Sequence, residues 1–221
     1  MNVLLLRLVG PMQSWGTQSR FSVRDTGLEP SKSGVVGLLG AALGRPRATP
    51  VDDLARLRMG VRVDCEGRIA KDYHTTQNVL KAGGKGLFKT VVSSRFYLAD
   101  AAFLVGLEGD DMDLLRKLDR ALADPVWPLF LGRKAFPPSL PTRLPDGLRE
   151  GEGLEKALRR YPRIVKARRH SDEPLRVVLE SPTGEAVRVD QPISFAARQF
   201  TQRRVSTTWI AGAEITEGKE V

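Results

Sequence analysis

The sequence predicts an α+β fold of order βαββαβ, carrying an inserted hairpin and followed by a smaller β-rich C-terminal part. Three observations predict it. Residues 3–8 form a short apolar run that stops at Gly10-Pro11, as a buried strand does. Val35, Leu38, Leu39, Ala42 and Leu43 fall at i, i+3, i+4, i+7 and i+8, which is one stripe of an α-helix. Residues 71–94 then break the buried pattern with a polar, glycine-rich, basic segment in which Asp72 alone opposes Lys71, Lys81, Lys85 and Lys89.

Taken in order, a polar loop over 12–30 carrying Trp15 and Phe21 separates the first strand from the first helix. Ser31 and Ser33 are its candidate N-caps; Gly44 sits where a C-cap glycine belongs, and Pro46 prevents continuation. Gly37 and Gly40 each cost roughly 1 kcal/mol relative to Ala, which implies that another backbone packs close. Residues 61–65 read as the second strand. Residues 97–107 return to a buried pattern, with Phe103, Val105 and Leu107 alternating. Asp110 and Asp111 cap a second helix whose stripe is Leu114, Leu115, Leu118 and Leu122, and Arg116, Lys117 and Arg120 lie where its dipole favours cations. Residues 126–131 supply the next strand. This order is the ferredoxin-like arrangement shared by RNA-recognition folds. The first domain is therefore expected over 1–136, with the insertion at about 71–94. Prolines cluster at Pro137, Pro138, Pro141 and Pro145, and 137–221 is expected to be a small β-rich domain. In it, 175–180 and 185–190 read as a hairpin joined by Ser181-Pro182-Thr183-Gly184.

A chain of 221 residues can hold one sizeable core and a small appendage. Lys+Arg number 35 against 26 Asp+Glu, a formal charge of +9 with a sequence pI near 10.0. That excess favours a polyanionic partner, nucleic acid ahead of an anionic membrane surface; a merely solvated basic surface is the plainer alternative. Cys65 is the only cysteine, which excludes disulfide staples and zinc clusters. No apolar run is long enough to span a bilayer. The N-terminal run lacks a basic leader and a cleavage site, so a soluble, cytoplasmic protein is expected.

Several constellations invite chemistry. Gly83-Gly84-Lys85-Gly86 is not a Walker loop, because Gly86 stands where Ser or Thr must follow the lysine. The same residues suit a basic hairpin embracing a nucleic-acid backbone, or a disordered loop. Ser31-Lys32-Ser33-Gly34 opens a helix, where free N–H groups and an adjacent lysine make an anion site, or a plain capped N-terminus. Leu131-Gly132-Arg133-Lys134 places two cations after a glycine that permits close backbone approach, a good RNA-backbone site or an exposed turn. The basic run over 156–169 is interrupted by Tyr161 and Ile164, which could pack or stack; Arg203-Arg204 is read the same way. The histidines are His74 and His170, too few for a metal site, and no cofactor is implied. Tyr73-His74 with Lys85 or Lys89 are residue types suited to metal-free RNA cleavage, which needs a base, an acid and a cation. A hydrogen-bonding role for His74 is the alternative.

These segments together carry a family resemblance. Leu6-Arg7-Leu8-Val9-Gly10-Pro11-Met12-Gln13-Ser14-Trp15-Gly16 resembles the opening of the CasD family, the type I-E CRISPR Cascade subunit of the RAMP superfamily. Pro30-Ser31-Lys32-Ser33-Gly34-Val35-Val36-Gly37-Leu38-Leu39-Gly40-Ala41 is similar to that family's first helix. Asp72-Tyr73-His74-Thr75 resembles the start of its inserted thumb, and Arg95-Phe96-Tyr97-Leu98-Ala99-Asp100-Ala101-Ala102-Phe103 the return from it. Leu129-Phe130-Leu131-Gly132-Arg133-Lys134 resembles its Leu-Gly-Arg-(Arg/Lys) segment. The match runs nearly end to end and is weakest over 150–180.

The resemblance implies a ferredoxin-like RAMP domain, a β-hairpin thumb and a small C-terminal domain. It implies a non-catalytic subunit that caps the 5′ handle of the guide RNA (crRNA) in an antiviral complex, with backbone and large subunits as partners and target DNA contacted indirectly. RNA contacts are expected at Gln13, Trp15, Lys32, Ser33, Gly34, Tyr73, His74, Lys85, Lys89, Arg95, Gly132, Arg133, Lys134, Arg203 and Arg204. In the type I-E family another subunit cuts the precursor RNA. In the related type I-C branch the equivalent subunit is itself a metal-independent endoribonuclease, which is the alternative function.

Overall fold

A computed structural model describes residues 1–18, 22–81, 83–165 and 173–212. In chain order the elements are β1 (Asn2–Val9), β2 (Met12–Gln13), β3 (Val23–Arg24), α1 (Lys32–Ala42), α2 (Asp52–Ala55), β4 (Arg58–Cys65), β5 (Arg68–Leu80), β6 (Leu87–Ala99), β7 (Ala102–Gly109), α3 (Met112–Ala123), β8 (Arg143–Arg149), α4 (Leu154–Arg160), β9 (Leu175–Glu180), β10 (Ala186–Ser194) and β11 (Gln199–Ile210). Seven strands form one antiparallel sheet in the order β10-β11-β9-β4-β7-β1-β8. A second sheet is built around β6, which pairs with β2, β3 and β5.

Alternation along the strands sends side chains to two cores. Leu4, Leu6, Leu8, Val61, Val63, Phe103, Val105 and Leu107 face α1 and α3. Val3, Leu5, Leu104, Val177 and Leu179 face Leu154, Ala157 and Leu158 of α4. The helix seats closely because Gly60 and Gly106 lie opposite each other in the sheet. A Cβ on Gly60 would meet Leu158 Cδ1 at 2.8 Å, and one on Gly106 would meet Leu154 Cδ1 at 2.6 Å. Both faces of the central strands β1, β4 and β7 are therefore covered.

One buried ion pair fastens α4. Arg62 and Asp64 point from β4 toward α4 with side chains 0% exposed. The Arg62 guanidinium donates to both Asp64 oxygens, at 2.7 and 2.8 Å, and to the carbonyls of Leu158, Tyr161 and Pro162 at the helix end. Asp64 Oδ2 also accepts from Ile164 N at 2.8 Å. These bonds satisfy helix-end carbonyls that would otherwise be orphaned.

The expected helices form. Ser31 caps α1, its Oγ accepting from Gly34 N at 3.3 Å, and Gly44 adopts φ +65° beyond the end. Asp111 caps α3, accepting from Leu114 N at 2.9 Å. Three strand expectations are corrected. Residues 126–131 are not a strand, because Val126 N and Trp127 N are spent on the carbonyls of Ala42 and Ala41 at the end of α1. The strand beside β1 is β8, from the proline-rich stretch expected in the C-terminal part. The expected hairpin of β9 and β10 does not pair. Its turn closes, with Gly184 N donating to Ser181 O at 3.0 Å, but β11 passes between the two strands. Finally β9, β10 and β11 continue the main sheet through β4 rather than building a sheet of their own.

The insertion is a ladder in constant register from Arg68↔Ala99 to Leu80↔Leu87. It is longer than the expected 71–94, and more apolar: Ile69, Tyr73, Leu80, Leu87, Phe88 and Val92 stand exposed on it. Among the described residues no helix is long and apolar enough to cross a membrane.

Candidate nucleic-acid interface

Two loops lock together at the root of the hairpin. Gln13 is fully buried; its amide donates to Leu8 O at 3.2 Å and Ala101 O at 2.8 Å, and its oxygen accepts from Trp15 Nε1 at 3.2 Å. Ser14 N donates to Leu131 O at 3.0 Å. Gly132, at φ +87°, passes so close that a Cβ there would lie 1.7 Å from Ser14 O, a position only glycine can fill. That crossing delivers Arg133 to the hairpin. Its Nη2 donates to Phe96 O at 2.9 Å and Arg24 O at 3.4 Å, and its guanidinium lies 5.5 Å from the Phe136 ring centroid.

Arg24 arrives by a separate route. β3 runs parallel to β6 with Arg24 beside Arg95, and Ser94 N donates to Ser22 O at 2.8 Å. Arg95 in turn donates to Ser93 Oγ at 3.1 Å. Arg24, Arg95 and Arg133 thus gather at one place, and among the described residues none is ion-paired with a carboxylate. Burial lowers the pKa of Arg133 first; repulsion from Arg95 and Arg24 lowers it further, against the raising effect of Asp72 and Asp25. The guanidinium still stays charged at neutral pH. An incoming phosphate would relieve this repulsion and accept the forked N–H groups.

The buried cations Lys32 and Arg203 are already partnered. Lys32, 1% exposed, is held by Glu180 at 2.8 Å. Its backbone N–H, at the N-terminus of α1, donates to Asp190 Oδ2 at 2.7 Å. Arg203 donates to Asp190 at 2.6 and 2.9 Å. The anion expected at Ser31-Lys32-Ser33-Gly34 is therefore an internal carboxylate, and Lys32 and Arg203 are corrected to interior ion pairs. Gly34 makes room for the Trp15 ring, which a Cβ would meet at 2.9 Å. Gln13 and Trp15 are likewise framework. Ser33 is half-buried beside this cap, and Arg204 is exposed on β11, donating to Gly184 O at 2.9 Å.

The family model described as CRISPR-associated protein (Cas_Cas5) matches residues 3–206. The chain belongs to that family. It is 32% identical to the CRISPR system Cascade subunit CasD of Escherichia coli (strain K12), over 90% of this chain and 92% of that protein. A crystal structure of a Cas protein superposes with a TM-score of 0.80 at 45% identity, covering 99% of this chain and 100% of that one. A chain of a CRISPR RNA-guided surveillance complex does so with a TM-score of 0.79 at 33% identity, covering 98% and 95%.

In this Cas_Cas5 chain the remaining expected site residues spread along the hairpin. Asp72 lies opposite Arg95 and His74 opposite Ser93, all on one face, with Asp72 Oδ2 3.8 Å from His74 Nδ1. Tyr73 projects from the other face, as strand alternation requires. Lys85 sits in the tip turn and Lys89 on the outer part of β6, both exposed. From Ser93 to Lys85 the chain runs about 26 Å, at roughly 3.3 Å per residue. Tyr73, His74 and Lys85 therefore do not converge on one phosphate. Lys134 is exposed next to Arg133. Arg24 was not visible in the sequence as a site residue, because its place depends on the pairing of β3 with β6. His170 and the basic residues Lys166, Arg168 and Arg169 lie outside the described residues.

Proposed function

We propose that this chain is the non-catalytic crRNA-binding subunit of a type I-E CRISPR Cascade complex, capping the 5′ handle of the guide RNA. The observation that carries the reading is the group of Arg24, Arg95 and Arg133, desolvated at Arg133 and, among the described residues, without an ion-paired carboxylate. Family membership and the likeness to a chain of an RNA-guided surveillance complex support it. Lys134, and Lys85 and Lys89 farther out, extend the positive surface along which the strand runs. Backbone and large subunits of the complex are the protein partners, target DNA is met through the guide, and the complex acts in the cytoplasm.

The strand order β8-β1-β7-β4 with α1 and α3 on one face supports a ferredoxin-like RAMP unit. We read that unit as 1–149, since β8 completes it, with the hairpin β5–β6 as its thumb and 150–221 appended. Because α4 covers the second sheet face, RNA is read at the hairpin root rather than on an open sheet as in RRM domains. The alternative, metal-independent cleavage by Tyr73, His74 and a lysine, is disfavoured because Tyr73 and His74 project from opposite faces of the hairpin.

Fluorescence anisotropy of a labelled handle RNA tests the reading. Affinity should fall with salt at a slope of roughly −0.7 per phosphate neutralised, and Arg133→Ala should flatten that slope by about 0.7. An Arg24→Ala/Arg95→Ala/Arg133→Ala variant with wild-type affinity and slope overturns it.

A further inference from the structure

The hairpin face opposite the arginines has a separate character. Tyr73 is 69% exposed and Ile69 59%. Ser94 lies directly across from Tyr73, and Phe96 and Val92 are its diagonal neighbours on β6, about 7–8 Å away. Lys71 Nζ stands 5.9 Å from the Phe96 ring centroid, and Lys81 Nζ 5.3 Å from that of Phe88. Neither strand places an Asp or Glu on this face along its paired length. Aromatic rings interleaved with lysines and free of carboxylates complement a polyanion that also carries π-faces, as single-stranded nucleic acid does. The face is also continuous with the arginine site. Tyr73 follows Asp72, the residue opposite Arg95, and among the described residues β5 pairs only with β6. A strand seated on the arginines can therefore cross the free edge of β5 and reach Tyr73.

We propose that Tyr73, backed by Phe96 and Lys71, is a stacking platform for one nucleobase of the RNA whose backbone sits on Arg24, Arg95 and Arg133. The inference rests on the RNA-binding reading above. It divides the labour across the hairpin: the arginine face holds phosphate without regard to base, and the uncharged Tyr73 ring on the other face holds a base. Stacking tolerates any base, so the platform fixes where the strand bends rather than which sequence it carries.

The test uses the full chain and two probes, a short single-stranded RNA of mixed sequence and the same strand with abasic sites. Tyr73→Ala should weaken binding of the intact RNA by about 5- to 100-fold, as expected for loss of one base stack. Tyr73→Phe, which keeps the ring, should bind within about twofold of wild type. On the abasic strand wild type and Tyr73→Ala should bind alike, and Tyr73→Ala should leave the salt slope unchanged where Arg133→Ala lowers it. If Tyr73→Ala binds intact RNA like wild type but fails to assemble with the other subunits, the face is a protein-docking surface and the inference is overturned. An equal loss on intact and abasic strands overturns it too. In both cases Arg133-dependent binding leaves the RNA reading standing, whereas a wild type that binds neither strand at low salt defeats both.

Discussion

Asp64→Ala removes the one carboxylate that, among the described residues, pairs with a guanidinium that has no exposure at all. In the wild type Arg62 donates to two Asp64 oxygens and three carbonyls, and Asp64 also accepts from Ile164 N. After the substitution, a buried cation keeps its three carbonyls but loses its counter-charge, and the Ile164 amide loses its acceptor. Breaking a buried pair from one side costs about 3–5 kcal/mol. For a chain of this size each kcal/mol shifts Tm by roughly 2–4 °C, so a fall of about 6–20 °C is expected. The double variant Arg62→Met/Asp64→Leu removes both charges. It should recover part of that loss but not all, because the carbonyls of Leu158, Tyr161 and Pro162 then lack donors, at about 1–3 kcal/mol for each one left dry. Thermal and urea melts followed by circular dichroism measure the stabilities, and amide exchange in α4 shows whether the loosening is local. Asp64→Ala melting within about 1 °C of wild type would refute the argument that this pair fastens α4 to the sheet.

Other outcomes follow from the same geometry. Gly132→Ala sets a methyl where 1.7 Å separates it from Ser14 O, so the 131–133 loop must move; RNA affinity should drop toward that of Arg133→Ala, and a wild-type affinity would contradict the placement of Arg133. Asp53 is held below its ordinary pKa of 3.8, chiefly by hydrogen bonding to Arg45. A lowered carboxylate contributes stability above its unfolded pKa and loses it as pH falls through the folded one. Asp53→Asn should therefore be slightly less stable than wild type at pH 7, with the difference shrinking in melts as the pH falls below 3.8; a gap that widens in acid would contradict the sign. Asp190→Ala should lower Tm by less than Asp64→Ala, since Arg203 keeps Glu180 Oε2 3.9 Å from its Nη1 after Asp190 is lost, and an unchanged melt would contradict the burial of the pair.

What sequence could reveal follows the range of each interaction. The caps Ser31 and Asp111 and the stripes of α1 and α3 were legible because their partners lie within a few residues. β8 was hidden because Arg143-Leu144-Pro145-Asp146-Gly147 reads as turn chemistry, and only pairing with β1 extends it. α4 was hidden inside what reads as a basic run, although Leu154, Ala157 and Leu158 carry its buried side. The hairpin's apolar residues were overlooked beside its lysines and glycines. At the candidate site, Arg133 stands out in the sequence as a cation after a glycine, but the backbone that Gly132 admits is that of Ser14 rather than a ligand. Lys32 was misread because the anion at its helix N-terminus comes from Asp190, 158 residues later. Arg24 carried no local signal. Distant pairing decided which cations, among the described residues, have no ion-paired carboxylate, and that distribution marks out the candidate site.

The central claim, RNA binding without cleavage, is tested most directly by incubating the purified protein with repeat RNA, in EDTA and in magnesium, and resolving the mixture on native and denaturing gels. The account predicts a retarded complex whose RNA is recovered at full length in both conditions. A specific cut within the repeat that disappears in His74→Ala, or no complex at low salt, would contradict it.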